Sequence, residues 1–329
     1  MKNLKRDFSI KFCYRSIAID RGELHPTALS LQKLGYHVSQ IQDSLFDFKP
    51  NEIVWIQENA NFFPKIIRKL LAIPKNERPF VVVWHTEPLL NPKAAGFPWP
   101  LLHVKEIAKI ILRDKRATDV YTNFFVLRRI AMRGLPNLLI ASSLGRYEFL
   151  MEHNIDAHFV PFGYYHAHGN YMGLKRDIDV FFLGTLDIPR RRRNIKRLRR
   201  NGIDILKMGS WSDPACYGEN RTRLLNRTKI FLNIQRYPGL LSGVRLILGM
   251  ANKALVISEP MYRSDPYISG RHYISATIDE MPRIINYYLT HNEEYKQIVN
   301  EGYRLVTERV TMDQSVSHII KLINMHINQ

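Results

Sequence analysis

The stretch "DVFFLGTLDIPRRRRNIKRLRR", residues 179–200, carries the pattern that decides the fold. Its apolar run ends at Gly184, and eight of the eleven residues from Arg190 to Arg200 are basic. A short apolar run closed by a glycine predicts a buried strand, and the basic segment behind it predicts a helix. Because N–H groups and the helix dipole at such a junction attract anions, the stretch also predicts a phosphate site.

The same alternation of strands and helices extends along the chain in both directions. Towards the N-terminus, "NEIVWIQ" and "RPFVVVWHTEP" are predicted strands. Towards the C-terminus, "KIFLNIQ" and "KALVISE" are predicted strands that flank the short helix "GVRLILGMAN". Such alternation predicts parallel sheets of the doubly wound type. Two series, joined near residues 162–175 by a segment rich in Gly, Tyr and His, predict two α/β domains that face a cleft.

The composition indicates an anionic partner. The chain of 329 residues has 48 Lys and Arg against 30 Asp and Glu, so its formal net charge is +18. Such an excess favours nucleotide phosphates, nucleic acid or an acidic membrane surface, and it carries no information about the fold.

Cysteine usage and hydropathy indicate the compartment. The two cysteines, Cys13 and Cys216, have no CxxC or metal-site spacing, which fits a reducing environment. We see no signal peptide and no apolar window of roughly 18 residues that could span a bilayer. We therefore expect a cytoplasmic protein, with peripheral association at the inner face of the membrane as an open alternative.

The second half, over residues 155–325, resembles the C-terminal domain of spore-maturation CgeB-like proteins, a branch of the GT-B glycosyltransferases, with a family 4-like C-terminal domain. The resemblance rests on the order of several segments, among them "RDIDVFFLGT", "MGSW", "TKIFLNIQR" and "ALVIS". It implies two Rossmann-like domains, at residues 1–165 and 166–310, with a terminal helix at 311–329 that braces the first. The C-terminal domain then holds a UDP- or GDP-linked nucleotide-sugar as co-substrate, and the N-terminal domain holds the acceptor.

The strand–helix junctions supply the predicted donor-binding residues. Behind Gly184, any of Arg190, Arg191 and Arg193 could form paired hydrogen bonds with a diphosphate, and we select Arg190 and Arg193. The alternative that most of these arginines form a solvated helix face stays open. Ser242 and Gly243, before the short helix, are predicted to form a second phosphate cradle. In the loop of "KMGSW", Gly209 and Trp211 are further candidates, because the tryptophan could stack on a base.

Arg245 matches the arginine of the family's R-x-F-E-A segment and is a further predicted donor-binding residue. The glutamate of that segment typically binds ribose hydroxyls, whereas this sequence has Leu248, followed by Gly249. Leucine cannot accept a hydrogen bond. Three alternatives follow: the ribose is held by another residue such as Glu259, the donor differs, or catalysis is lost.

The predicted catalytic residues lie in the first half. In "WHTEPLL", a buried strand delivers His85 and Glu87 to its carboxyl edge, where either could act as general base on an acceptor hydroxyl. In "IDRGELHP", behind the first strand, His25 is a further candidate base, and Arg21 and Glu23 are predicted to bind the acceptor.

No metal site is predicted. The D-x-D pattern of Asp177 and Asp179 runs directly into a strand, where successive side chains point to opposite faces. His166 and His168 have no further nearby ligands in the sequence for a zinc set. We therefore expect arginines and helix ends, in place of a metal, to stabilise the leaving diphosphate.

These observations support a metal-independent glycosyltransferase that moves a sugar from a nucleotide-sugar to a hydroxyl of a polysaccharide, lipid or protein glycan. Two alternatives stay open. The net charge of +18 also fits a glycosyltransferase that acts on DNA. Leu248 also fits a GT-B binding protein that has lost turnover.

Overall fold

A computed structural model describes residues 8–15, 25–44, 46–86, 88–89, 119–209 and 216–328, with isolated positions at 93, 104, 108 and 111. The described chain divides into two compact units. The first holds the described residues up to 161, apart from Lys93, together with residues 312–328. The second holds Lys93 and residues 162–311.

The first unit is built on a six-stranded sheet. Its strands are β1 (Ser9–Cys13), β2 (Val38–Ile41), β3 (Glu52–Glu58), β4 (Phe80–His85), β5 (Leu138–Ala141) and β6 (His158–Phe159). They lie in the order β2-β1-β3-β4-β5-β6, and all neighbouring pairs are parallel.

The second unit is built on a five-stranded sheet. Its strands are β7 (Ile178–Leu183), β8 (Leu206–Met208), β9 (Thr228–Asn233), β10 (Leu255–Ser258) and β11 (Ile274–Ser275). They lie in the order β11-β10-β9-β7-β8, again with all neighbouring pairs parallel.

Helices connect these strands. Those of the first unit between its strands are α1 (Pro26–Lys33), α2 (Pro64–Ala72), α3 (Asp119–Ala131) and α4 (Leu144–Glu152). Those of the second unit are α5 (Pro189–Arg200), α6 (Gly218–Arg227), α7 (Gly243–Ala251), α8 (Met281–Thr290) and α9 (Asn292–Arg304), with a π-helical turn at Leu305–Arg309. The chain then returns to the first unit with α10 (Met312–Ile327). Proline begins α1, α2 and α5, because its fixed φ suits the first helical position and its missing N–H is not needed there.

Alternating side chains bury both faces of the second sheet. Val180 and Phe182 of β7 pack on one face, in a cluster with Ile195 of α5 and Ile285 of α8. Phe181 packs on the other face, in a cluster with residues of α6 and α7. Burial on both faces explains why the strands are continuous apolar runs in the sequence. In the first unit, Trp55 and Trp84 are likewise fully buried, with ring centroids 6.3 Å apart.

The strand order locates the ligand-binding edge of each sheet. In open parallel sheets, ligands bind beyond the carboxyl ends of the strands, at the point where the strand order reverses. That point lies between β1 and β3 in the first unit and between β7 and β9 in the second. The sequence therefore brings Gly184, which follows β7, to the switch point of the second unit.

The predicted doubly wound α/β fold is confirmed. The two-residue strand β11 lay outside the prediction, because two residues are too short to show a periodic pattern. Among the helices of the described ranges, none has the length and apolar character that a membrane crossing requires.

Candidate functional site

Two glycines shape the switch point of the second unit. Gly184 and Gly209 follow β7 and β8 and have φ values of +153° and +156°, which side-chain-bearing residues rarely adopt. The N–H of Gly184 donates to the Met208 carbonyl at 2.7 Å. A Cβ at Gly209 would collide with the Gly184 backbone, and a Cβ at Gly184 would collide with Nη2 of Arg245. Both glycines are therefore required for close packing at this edge.

Arg245 projects from the first turn of α7 onto this backbone. Its guanidinium carbon lies 5.2 Å from the centroid of the Phe182 ring. Nη1 is shielded from solvent and has no hydrogen-bond partner among the described residues. Burial, and secondarily the charge of Arg191, lowers the pKa of Arg245 to about 9, so it remains a cation at neutral pH.

Arg191 contributes a second cation, and its side chain is buried, whereas Arg245 is half-buried. Its Nε donates to the Ile234 carbonyl, just beyond β9, at 3.0 Å. Burial lowers the pKa of Arg191 to about 10; the charges of Arg236 and Arg190 act in the same direction, and the charge of Glu259 opposes them. Neither Arg191 nor Arg245 forms an ion pair with any carboxylate in the described part of the chain. Two positive charges thus meet at the switch point, and neither is paired directly with a described carboxylate.

Arg190 differs from these two because a carboxylate binds it. Its guanidinium forms a two-pronged ion pair with Glu259, with Nη1 2.8 Å from Oε2, and Nη1 also donates to the Gln235 carbonyl at 2.9 Å. The Gln235 N–H donates to the same Oε2 at 2.8 Å, and the Asn194 amide donates to Oε1 at 3.4 Å. Since these four donors occupy the carboxylate, we interpret Glu259 as the residue that fixes Arg190, and not as the ribose ligand considered above.

The helical phase of α5 decides which arginines face the sheet. Arg191 is buried with Ile195 and Leu198, whereas Arg193 is exposed. Sequence analysis selected Arg193 over Arg191, although the spacing i, i+4, i+7 of Arg191, Ile195 and Leu198 is a signal for one buried face.

Leu248 lies in the second turn of α7. It is 6% exposed and packs in the apolar cluster of α7 with Phe181 and Phe231. Gly249 allows this packing, because a Cβ there would collide with Val256. The side chain at the family's glutamate position is thus part of the core.

Other predicted donor residues have different surroundings. Ser242 is the N-cap of α7 but forms no capping hydrogen bond with its side chain, and Gly243 is the first residue of that helix. Trp211 lies outside the described residues. The structure therefore brings together Gly184, Gly209, Arg190, Arg191, Arg245 and Glu259.

In the first unit, two of the predicted catalytic residues are described: His85 at the end of β4 and His25 at the start of α1. His85 is the last residue of β4 and is fully buried. Glu87, two residues on, lies outside the described residues, as do Arg21 and Glu23.

His25 caps α1. Its Nδ1 accepts a hydrogen bond from the Thr27 N–H at 3.2 Å, and its ring lies 4.9 Å from that of Phe12. Burial lowers the pKa of His25 to about 3. With Nδ1 occupied, the neutral ring presents Nε2–H, so its geometry suits a hydrogen-bond donor better than a base.

Near these two histidines, Gln57 is a polar residue that sequence analysis did not select. It is 1% exposed at the end of β3. Its Oε1 accepts from the Trp55 indole at 3.2 Å, and its Nε2 has no partner among the described residues. In the sequence, a single Gln within a largely apolar strand is the signal that could have identified Gln57.

The carboxylates of the D-x-D pattern are engaged in ion pairs. Asp177 pairs with Arg227 at 2.7 Å, and Asp179 pairs with Lys229 at 2.6 Å. Within the described residues, no group of three or more His, Cys, Asp or Glu side chains is arranged to hold a metal ion.

The chain is similar to known glycosyltransferases in sequence over part of its length. Residues 190–321, which include Arg191, Arg245 and Glu259, match the sequence profile of a family described as "Glycosyl transferase-like". No curated protein matches the sequence of the chain.

Solved structures extend the similarity to nearly the whole fold. TarM of S. aureus is 12% identical, with a TM-score of 0.60 over 91% of this chain and 57% of that chain. Alr3699/HepE of Anabaena, solved in complex with UDP-glucose, is 11% identical, with a TM-score of 0.61 over 96% of this chain and 99% of that chain. A glycosyltransferase from Rickettsia africae ESF-5 is 12% identical, with a TM-score of 0.57 over 98% and 99% of the two chains.

The chain spans 57% of the length of TarM but 99% of the length of the other two. At these identities the likeness concerns the fold, and the CgeB-like branch stays a prediction. With the glycosyl transferase-like sequence of residues 190–321, this likeness confirms the predicted resemblance: the chain has the two-domain GT-B fold of the glycosyltransferases.

Proposed function

We propose that this protein transfers a sugar from a UDP- or GDP-linked donor to a hydroxyl-bearing acceptor. The observation that carries the proposal is the pair of cations Arg191 and Arg245 at the switch point of the second unit, neither of them ion-paired within the described residues. Two close guanidinium groups in a partly buried site repel each other, and a diphosphate would remove that repulsion. The Anabaena neighbour was solved with UDP-glucose, which supports UDP as the first nucleotide to test in binding.

The same charges suit the chemistry of transfer. When the bond between the sugar and the diphosphate breaks, negative charge develops on the leaving oxygen. Preorganised donors aimed at that charge lower the barrier. We propose that Arg245 and Arg191 stabilise the leaving group directly and that Glu259 holds Arg190 in position beside them. We also propose that this step needs no metal ion.

The acceptor site is proposed for the first unit. His85 or Glu87 would accept the proton of the acceptor hydroxyl, and Arg21 and Glu23 would bind the acceptor. His25 would donate through Nε2 to an acceptor oxygen. As a candidate base, His25 ranks behind His85 and Glu87, because a group with a pKa of about 3 is a weak base.

A basic face on α5 supports an acidic acceptor or an anionic surface. Arg192, Lys196 and Arg200 are exposed at spacing i, i+4, i+8, so they form one stripe along the helix. Such a stripe suits the inner face of an anionic membrane, and therefore a cytoplasmic, peripheral protein. Duplex DNA is the alternative anion, in which case the protein would be a DNA-modifying glycosyltransferase.

The buried position of Leu248 supports one further candidate, a GT-B binding protein without turnover. It would bind the nucleoside diphosphate through the same arginines. An assay for the release of UDP or GDP from the matching nucleotide-sugars separates the enzyme from the binding protein. Release above the rate without protein excludes the binding protein without turnover.

Calorimetric titration with UDP and GDP tests the donor site. We expect Arg245→Met and Arg191→Met each to weaken binding about 10- to 100-fold, as for a lost hydrogen bond to a charged group. Arg193→Met is the matched control, because Arg193 is exposed on the same helix as Arg191. Equal binding by all three variants, or no binding of either nucleotide by the wild type, would overturn the proposal.

A further inference from the structure

The N-terminus of α7 presents unused hydrogen-bond donors. The N–H groups of Gly243 and Val244 donate to no acceptor in the part of the chain that the structure describes, and Ser242 supplies no side-chain cap. Val244 is 43% exposed, so a ligand can approach this turn from solvent. Free N–H groups at a helix start favour an anion, but a helix start alone does not define a site.

Tyr267 supplies a second, independent feature at the same turn. Its side chain is 2% exposed, and its hydroxyl has no hydrogen-bond partner among the described residues. That hydroxyl lies 3.8 Å from the position that a Cβ on Gly243 would occupy. It therefore faces the first residue of α7.

The backbone around Tyr267 is held in place. Its N–H donates to the Ser264 carbonyl at 2.9 Å, and the Ser264 hydroxyl donates to the Tyr267 carbonyl at 2.8 Å. A buried hydroxyl without a partner destabilises the folded state. Phenylalanine would fill the same space without that cost, so the hydroxyl contributes nothing that the ligand-free fold requires.

We propose that the Tyr267 hydroxyl donates a hydrogen bond to a phosphate oxygen that the N–H groups of Gly243 and Val244 hold at the start of α7. This inference rests on the proposed donor-binding function and adds a ligand-binding residue to it. All three groups are donors, and an anion with several acceptor oxygens can satisfy them together. Arg245 lies in the same helical turn and supplies the charge.

The protonation state of Tyr267 agrees with this role. Burial raises the pKa of Tyr267 above its ordinary value, so the hydroxyl keeps its proton at any working pH. The side chain can therefore act as a donor to phosphate at neutral pH.

The test compares UDP binding by the wild type, Tyr267→Phe and Tyr273→Phe in calorimetric titrations, with GDP as the second ligand. We expect Tyr267→Phe to weaken UDP binding about tenfold and to leave the melting temperature of the ligand-free protein unchanged or higher. Tyr273→Phe is the matched control: Tyr273 is equally buried, but its hydroxyl interacts with Ser264. It should lower the melting temperature and leave UDP binding unchanged.

A second variant probes the same space from the helix side. Gly243→Ala places a methyl group in contact distance of the Tyr267 hydroxyl, at a backbone φ that alanine tolerates. It should also weaken UDP binding without unfolding the protein. Tight UDP binding by both Tyr267→Phe and Gly243→Ala overturns the inference alone, whereas a wild type that binds neither nucleotide overturns the proposed function first.

Discussion

The guanidinium of Arg190 and the carboxylate of Glu259 form a two-pronged ion pair across 69 residues of sequence. Glu259 directly follows β10, and Arg190 lies in the first turn of α5, so the pair ties the start of that helix to the edge of the sheet. Glu259 is nearly fully buried, whereas Arg190 keeps part of its side chain in water. The pair is therefore a positioning element for the neighbouring Arg191.

Removal of the Glu259 charge should destabilise the second unit. We expect Glu259→Gln to lower the free energy of unfolding by about 2 kcal/mol, less than for a fully buried pair because Arg190 is partly solvated. Asp279→Asn is the control, since it removes the exposed ion pair of Arg197 on the same helix and should cost less than about 1 kcal/mol. Urea denaturation measures both. Equal effects would show that Glu259 has no special structural role.

Alanine at Gly184 should affect both stability and the donor site. The new Cβ would displace the Arg245 guanidinium and would also be strained at φ +153°. We expect the free energy of unfolding to fall by about 2–4 kcal/mol and UDP binding to become unmeasurable. Gly202→Ala is the control for strain alone, because Gly202 has φ +83° and open space around its Cβ position. If Gly184→Ala behaved like Gly202→Ala, the contact with Arg245 would be unimportant.

Glutamate at position 248, as in the family's segment, should not create a ribose-binding site. Leu248→Glu would place a carboxylate in the apolar cluster behind α7, so we expect a loss of about 3 kcal/mol or more in stability and no gain in UDP binding. Leu248→Met conserves volume and polarity and should cost less than about 1.5 kcal/mol. Melting curves and UDP titrations test this. Tighter UDP binding by a stable Leu248→Glu protein would contradict the buried placement of this residue.

His168 should make stability depend on pH. It is buried, its Nδ1 accepts from the Tyr165 N–H at 3.3 Å, and burial lowers its pKa to about 3. The unfolded chain binds a proton near pH 6.5 and the folded chain does not, so stability is full above 6.5 and falls as pH decreases towards 3.

The variant His168→Asn keeps an acceptor for the Tyr165 N–H but removes the titration. The stability advantage of the wild type over this variant should shrink by up to about 1.4 kcal/mol per pH unit below 6.5. Urea denaturation at pH 7, 6 and 5 measures it. A constant difference across these values would mean that His168 is not held neutral by the fold.

Charge reversal on α5 should abolish binding to anionic surfaces. We expect the triple substitution of Arg192, Lys196 and Arg200 by Glu to reduce retention on vesicles with anionic lipid at least about 100-fold, given about 1 kcal/mol per basic residue. Glutamate at Arg128, Arg129 and Arg133, exposed in the first unit, makes the same change in net charge elsewhere. Loss of retention in both triples would indicate a dependence on net charge alone. A loss confined to duplex DNA would favour the DNA-modifying alternative.

Much of the fold could be predicted from the sequence because its strands are buried on both faces. Continuous apolar runs such as residues 80–84 and 255–257 appear directly in the sequence, with Pro79 directly before the first and Pro260 shortly after the second. Gly184, Arg190 and Arg245 could be placed near a ligand-binding edge for the same reason: each lies at a junction between strand and helix.

The contacts within the site could not be predicted in the same way. Four consecutive arginines look alike in sequence, and only the phase of α5 against the sheet separates buried Arg191 from exposed Arg193. The ion pair of Glu259 with Arg190 depends on which strands are neighbours in the sheet. The orphan hydroxyl of Tyr267 depends on the path of an irregular loop, for which periodicity gives no signal.

The first unit is discontinuous in the sequence, and this affects how the protein is made. Residues 312–328 pack with that unit, where Asp313 of α10 accepts from the Ser30 hydroxyl at 2.5 Å and pairs with Lys33 at 3.1 Å. The ribosome completes the whole of residues 162–311 before it supplies α10. During translation the second unit can therefore finish folding while the first still lacks the helix that contacts α1.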